Sequence, residues 1–140
     1  KIINLSSAGK KFSKKLETLN TNNIKKFKER EKVLADEEKN IIKKKNILSK
    51  EEFEKKIATL KKNIINFKKD IIISKKDVDK KRLEGTSKLI SILNPILSEY
   101  SSKNSISLII QKKNIVIGKS ELDITNQILK LLNAKIKIIK

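Results

Sequence analysis

The chain has no cysteine, histidine, methionine or tryptophan, and only three glycines and one proline in 140 residues. Without cysteine there is no disulfide framework, thiolate metal site or cysteine nucleophile. Without histidine the common zinc sites, Ser-His-Asp triads and histidine acid–base pairs are excluded, and most enzymes with them. Long apolar runs are also missing. Stretches such as Ile71-Ile72-Ile73 fall far short of the roughly 20 residues of a membrane-crossing helix. The chain opens on Lys1-Ile2-Ile3 without an initiator methionine, as a mature or trimmed chain does, which leaves a removed targeting segment open.

What is abundant is positive charge: 35 Lys and Arg against 16 Asp and Glu, a formal net charge of +19. Arginine occurs only at Arg30 and Arg82, and lysine, isoleucine and asparagine dominate together. That bias is the mark of an AT-rich coding sequence, so part of the charge is codon drift on solvated faces. The rest attracts acidic surfaces, nucleic acid or anionic head groups. The scarcity of arginine argues against base-specific recognition, which favours its bidentate fork.

Three stretches differ in pattern. From about residue 8 to 46 the spacing reads helical, through Phe12, Leu16, Leu19, Ile24 and Phe27, with Leu34, Ile41 and Leu48 following at intervals of seven. The polar run from Thr18 to Asn23 predicts a kink or short break. In the second stretch Phe53, Ile57, Leu60, Ile64, Phe67, Ile71, Ser74 and Val78 follow alternating spacings of four and three. That is a heptad seam broken only by Ser74. Ser49-Lys50-Glu51-Glu52 starts it as a capping box. Residues 45–49 are then a short turn, and residues 25–48 and 50–78 zip antiparallel into arms on the order of 40 Å long. A core one seam thick needs an anchor.

The third stretch supplies one. After Leu89, Ile90, Leu93, Ile96, Leu97 and Tyr100, β-branched runs at Ser105–Ile110 and Asn114–Ile117 flank Gln111-Lys112-Lys113 and predict a β-hairpin. Pro95 predicts a kink or the point where arm meets body. Ile128, Leu129, Leu131 and Leu132 make a last amphipathic helix, with Asp123 or Thr125 as its N-cap. Two strands are a thin body with open edges, so the expected fold class is α+β: a long antiparallel helical-hairpin arm on a small β/α body, its strands completed in an oligomer. The domains are 1–24 with 84–140 as oligomerisation body, and 25–83 as arm with its tip near 45–50.

The order of elements resembles the Skp/OmpH family of periplasmic chaperones. Ser6-Ser7-Ala8-Gly9-Lys10-Lys11 followed by Leu16-Glu17 is similar to its SxAGK segment, and Leu48-Ser49-Lys50-Glu51-Glu52 to its arm tip. Ser107-Leu108-Ile109-Ile110, Ile115-Val116-Ile117, and Leu122-Asp123-Ile124-Thr125 through Leu132-Asn133 are similar to its C-terminal body. The resemblance implies a periplasmic homotrimer whose strands form a shared barrel, here through Leu108, Ile110, Ile115, Ile117, Leu122 and Ile124. Its three arms enclose a cavity that holds unfolded outer-membrane proteins. Family members carry a first β-strand before the SxAGK segment; only residues 1–5 precede it here, so that strand was cut away or lies upstream. The tail from Lys135 to Lys140 runs past the usual helix end, as a strand or a basic tail.

Residues 39–69 hold eleven lysines and three acids, a net +8. Three such arms repel one another and splay, an effect that salt relaxes over a Debye length of about 8 Å. The expected client-binding residues are Lys43, Lys44, Lys45, Ile47, Lys50, Lys55, Lys56, Lys61, Lys62, Ile65, Lys68, Lys69 and Ile72. Ile42, Ile47, Ile65, Ile72 and Ile73 fall off the seam, and they either thicken it or line the client side. Lys80, Lys81 and Arg82 match the family's proposed lipopolysaccharide contact, or else form a solvated helix face. No phosphate-binding loop occurs, so holding a client proceeds without ATP. Asp36-Glu37-Glu38 point around a helix, and Asp77 and Asp79 do not face each other. No enzyme activity, metal or cofactor is expected. Nucleic acid is not an expected partner, although two alternatives stay open: a basic coiled coil that binds nucleic acid, and a prefoldin-like or structural oligomerisation protein.

Overall fold

The structure, a computed structural model, describes residues 1–138. A one-turn helix α1 (Ile2–Leu5) leads into α2 (Ser7–Lys43), α3 (Lys50–Lys103) and, after a long irregular segment, α4 (Thr125–Lys135). The chain divides into two compact units: Glu17–Lys80, and Lys1–Leu16 together with Lys81–Lys140.

The first unit is the two-helix arm. Ile41, Leu60, Phe67 and Val78 are buried, with the rest of the heptad series half-buried around them. The α2 side of the seam is more polar than its apolar spacing indicates: half-buried Asn23, Arg30 and Glu37 interleave with Leu19, Phe27, Leu34 and Ile41. These polar members pair across the seam. Asn23 Nδ2 donates to Ser74 Oγ at 2.8 Å, so the one break in the α3 heptads meets the one asparagine in the α2 seam. Arg30 bonds to Asp70 and lies 5.5 Å from the centroid of the Phe67 ring, which meets Phe27 edge-on at 6.0 Å. Helix α2 runs unbroken through Thr18–Asn23, contrary to the expected kink. The asparagine that would compete for its own backbone is engaged across the arm instead.

At the tip the capping box forms as expected. Ser49 Oγ accepts the Glu52 amide at 3.2 Å, and the Glu52 carboxylate accepts the Ser49 amide at 3.1 Å and its hydroxyl at 2.9 Å. Those two bonds hold the Glu52 carboxyl below its ordinary range.

The second unit has its own core. Leu93, Ile96, Ile128 and Leu132 are buried together, flanked by Ile2, Ile3, Leu97, Tyr100 and Ile124. Ala8 and Leu89 form a neighbouring cluster with Phe12 and Ile136. This packing explains why Pro95 neither ends α3 nor marks the edge of the arm. Leu93 and Ile96 on either side of it are anchored against α4, offsetting a cost of about 3 kcal/mol for proline in a helix interior. Ile136 joins both clusters, so the tail begins as core; Ile139 and Lys140 lie outside the described residues.

Ser6 caps α2, its hydroxyl accepting the Gly9 amide at 3.0 Å and donating to the Ile3 carbonyl at 2.7 Å. Asn133 Oδ1 on α4 accepts the next free amide, that of Ser7, at 2.8 Å. The SxAGK segment and the terminal Leu-Asn are thus two halves of one lock. A Cβ on Gly9 would sit 1.8 Å from the Ile3 carbonyl oxygen, a backbone atom that cannot swing aside. Helix α3 ends in a Schellman turn: the Ile106 amide donates to the Ser101 carbonyl at 2.9 Å while Ser105 takes φ 53°.

The expected β-hairpin is corrected. Among the described residues there is no strand, so the chain by itself is all-α rather than α+β. Lys112–Asn114 close a 3₁₀ turn and Ser120–Leu122 another, with extended backbone at their ends. β-branched composition supplies strand propensity, but a ladder needs partners, and a lone hairpin is marginal in water. The cap of α4 is corrected too. Ile124 is the N-cap, and Asp123, one residue earlier, accepts the Thr125 amide at 3.0 Å while pairing with Lys112 Nζ at 2.6 Å. The Lys112 ammonium and the Thr125 bond together hold the Asp123 carboxyl well below the usual carboxylate range.

These features predict stability effects. Gly9→Ala should cost on the order of 2 kcal/mol or more through the Ile3 clash, whereas Ser105→Gly should gain about 1 kcal/mol by relieving φ > 0. Thermal unfolding followed by circular dichroism measures both. Because Asp123 is depressed, its contribution is fully present above its unfolded value near 4 and is lost as pH falls below it. Asp123→Asn should therefore flatten the acid limb of the melting-temperature profile and leave its neutral-to-basic limb unchanged in shape.

Candidate functional site

Each arm helix gives one stripe to the seam, so its remaining surface sorts by distance from that stripe. In an antiparallel pair the residues that directly follow seam positions on both helices lie on one face, and those that directly precede them lie on the other. Two observations fix the second face. Arg30 reaches Asp70, which precedes Ile71. A shallow groove near the tip is lined by Val33, Asp36 and Asn40 of α2 and Glu52, Lys56 and Thr59 of α3, all of which precede seam residues. That face is polar.

The opposite face is different. From α3 it carries Lys61, Ile65, Lys68 and Ile72, which follow Leu60, Ile64, Phe67 and Ile71. From α2 it carries Ile24, Glu31, Glu38 and Ile42. Ile24, Ile42, Ile65 and Ile72 are each about half exposed, from 48% to 57%. The register places Ile24 beside Ile72, so the two helices share apolar ground at that level. Charge here is nearly balanced: Lys28, Lys61, Lys68 and Lys75 against Glu31, Glu38 and Glu54.

The sequence-predicted residues are therefore divided among several places. Lys61, Ile65, Lys68 and Ile72 come together on the apolar face. Lys56 lies on the polar face, with Lys55 also at its groove. Lys62 and Lys69, two positions past the seam, fall on the outer edge. Lys43 ends α2, Lys44, Lys45 and Ile47 lie in the turn, and Lys50 opens α3, so these five gather at the tip, where Ile47 is 83% exposed. The excess positive charge thus sits at the tip and outer edge. Sequence reasoning missed Ile24 and its place beside Ile72; the signal available was its position one past Asn23.

The basic triplet Lys80-Lys81-Arg82 stands among Asp77, Asp79 and Glu84, and each of these six residues takes part in a polar or electrostatic interaction. In the second unit Leu108, Ile110, Ile115, Ile117 and Leu122 are exposed, with Ile117 at 92%, whereas Ile124 packs on the core. Residues 108–122 thus present exposed apolar side chains to solvent around two 3₁₀ turns. Among the described residues no three acidic side chains converge as a metal site, and no helix is long and apolar enough to cross a membrane.

These features have counterparts in known proteins. A crystal structure of a proposed outer membrane chaperone (OmpH-like) from Caulobacter crescentus CB15 matches with a TM-score of 0.93, covering 99% of this chain and 82% of that one at 19% identity. At that identity the likeness establishes the fold. No curated protein matches the sequence. The OmpH family model, outer membrane protein (OmpH-like), matches residues 1–132, nearly the whole chain. The chain belongs to the OmpH-like family, to which the Skp chaperones also belong.

Proposed function

We propose that the protein is an ATP-independent holdase of the periplasm that keeps unfolded outer-membrane proteins from aggregating. The observation that carries this reading is the arm face bearing Ile24, Ile42, Ile65 and Ile72. A helix surface that is apolar, half exposed and interrupted by charges of both signs suits a client without fixed structure. Such a client needs sequence-tolerant contact rather than a shaped pocket. The lysines at the tip and outer edge act earlier, by attracting acidic segments over a distance and concentrating the chain near the arm.

The second unit completes the proposal. An exposed segment rich in β-branched residues, with extended backbone beside its turns, is suited to strand pairing with another chain. Pairing Leu108, Ile110, Ile115 and Ile117 with the same segments of other copies would form the shared barrel, a homotrimer in this reading, and hold several arms around one client. A nucleic-acid role is less well supported. Arg30 is committed to Asp70 and Phe67, Arg82 is also engaged, and no aromatic platform accompanies the lysines.

The test is aggregation of an unfolded outer-membrane β-barrel protein, followed by light scattering at stoichiometric assembly. Wild-type protein should suppress scattering. Replacing Ile47, Ile65 and Ile72 together with Ser should weaken suppression several-fold while leaving the assembly mass unchanged. Undiminished suppression by the triple variant would remove the arm face from the reading. Moderate salt should leave part of the holding activity, whereas a purely phosphate-directed binder would lose nearly all of its affinity.

A further inference from the structure

The apolar face of the arm has an internal symmetry. Along α2 its residues are Ile24, Lys28, Glu31, Ala35, Glu38 and Ile42. About a midpoint between Glu31 and Ala35, Ile24 mirrors Ile42 and Lys28 mirrors Glu38. Along α3 the face runs Glu54, Ala58, Lys61, Ile65, Lys68, Ile72 and Lys75. About Ile65, Ala58 mirrors Ile72 and Glu54 mirrors Lys75. The register set by Asn23 against Ser74 and by Arg30 against Phe67 brings the two midpoints to the same height on the arm. On each helix one apolar pair and one acid–base pair thus mirror each other about one point, while Glu31 mirrors Ala35 and Lys61 mirrors Lys68.

We propose that two copies of this chain, each from a separate assembly, pair their arms antiparallel through this face, about a two-fold axis passing beside Ile65. Each α2 then lies along α2 of the second copy, and each α3 along α3. Ile24 meets Ile42 of the second copy, Lys28 meets its Glu38, Glu54 meets its Lys75, and the two Ile65 side chains meet on the axis. The product is an antiparallel four-helix bundle with an isologous interface. Ala35 and Ala58 allow the helices to approach, and the four half-exposed isoleucines leave water. Lys61 opposite Lys68 is the one like-charged meeting. Pairing covers the face proposed above to hold clients, so self-association and client binding compete; only that consequence rests on the holdase reading.

The absence of cysteine makes the test direct, because an introduced thiol reports one position in the full chain. Under mild oxidation Ile65→Cys should form disulfide-linked pairs, whereas Ile73→Cys, exposed off this face, should not. Ile24→Cys protein mixed with Ile42→Cys protein should cross-link, although neither does so alone. Side-by-side parallel arms would hold those positions about 27 Å apart along the helix at 1.5 Å per residue. Adding Lys28→Glu should lower the Ile65→Cys yield several-fold, and adding Glu38→Lys to that chain should restore it. No Ile65→Cys linkage above the Ile73→Cys level, or no linkage between the Ile24 and Ile42 variants, would overturn the pairing. Cross-links that form as expected while client holding fails would leave the pairing standing and count against the holdase reading alone.

Discussion

A hairpin of two long helices can bury only one stripe from each, and the rest of this molecule follows from that limit. Leu60, Phe67, Val78 and Ile41 supply the buried line. The remaining seam residues are half-buried around that line, and most side chains off the seam face solvent. An ordinary domain would cover its second apolar stripe with another layer. Here Ile24, Ile42, Ile65 and Ile72 have no such layer within the arm, which leaves apolar surface displayed on a rigid support. Flanking charges of both signs keep that surface hydrated without turning it into a purely cationic wall.

A seam this thin is also prone to slip by a heptad, because one apolar rung resembles the next. Polar members of the seam oppose the slip. Asn23 has one hydroxyl to meet, that of Ser74, and Arg30 has both a carboxylate and a ring in reach at Asp70 and Phe67. Shifting the register would break these pairings and set polar groups against apolar rungs, most unfavourably at the part-buried Asn23 and Ser74. The same registration brings Ile24 level with Ile72 and aligns the charges of the outer faces. Seam polarity, which weakens the core, thereby fixes the pattern presented to other chains.

Much of this was legible in the sequence where the signal was periodic or local. The α3 heptads, the Ser49–Glu52 box and the terminal amphipathic helix follow from spacing and capping chemistry. The misreadings share a cause, since in each a local preference yields to a distant partner. Asn23 suggested a break until Ser74 satisfied it, and Pro95 suggested a kink or the point where arm meets body, yet it lies inside α3 between Leu93 and Ile96, which pack on α4. The runs around Leu108 and Val116 suggested strands, yet among the described residues no ladder forms. The lysines were readable as a cluster in sequence but not as a distribution in space. Only the seam register separates Lys61 and Lys68 on the apolar face from Lys56 on the polar one and Lys62 and Lys69 on the edge.

The central claim is that contact with an unfolded chain is made by the face following the seam rather than by the arm's surface at large. Site-specific photo-cross-linking measures this directly, with a benzophenone side chain placed in turn at Ile24, Ile65 and Ile72 and, on the other face, at Val33, Thr59 and Ile73. With an unfolded outer-membrane β-barrel protein present, the first three positions should label the client strongly and the second three weakly. Equal labelling from both faces, or labelling confined to the lysine-rich tip, would contradict the account.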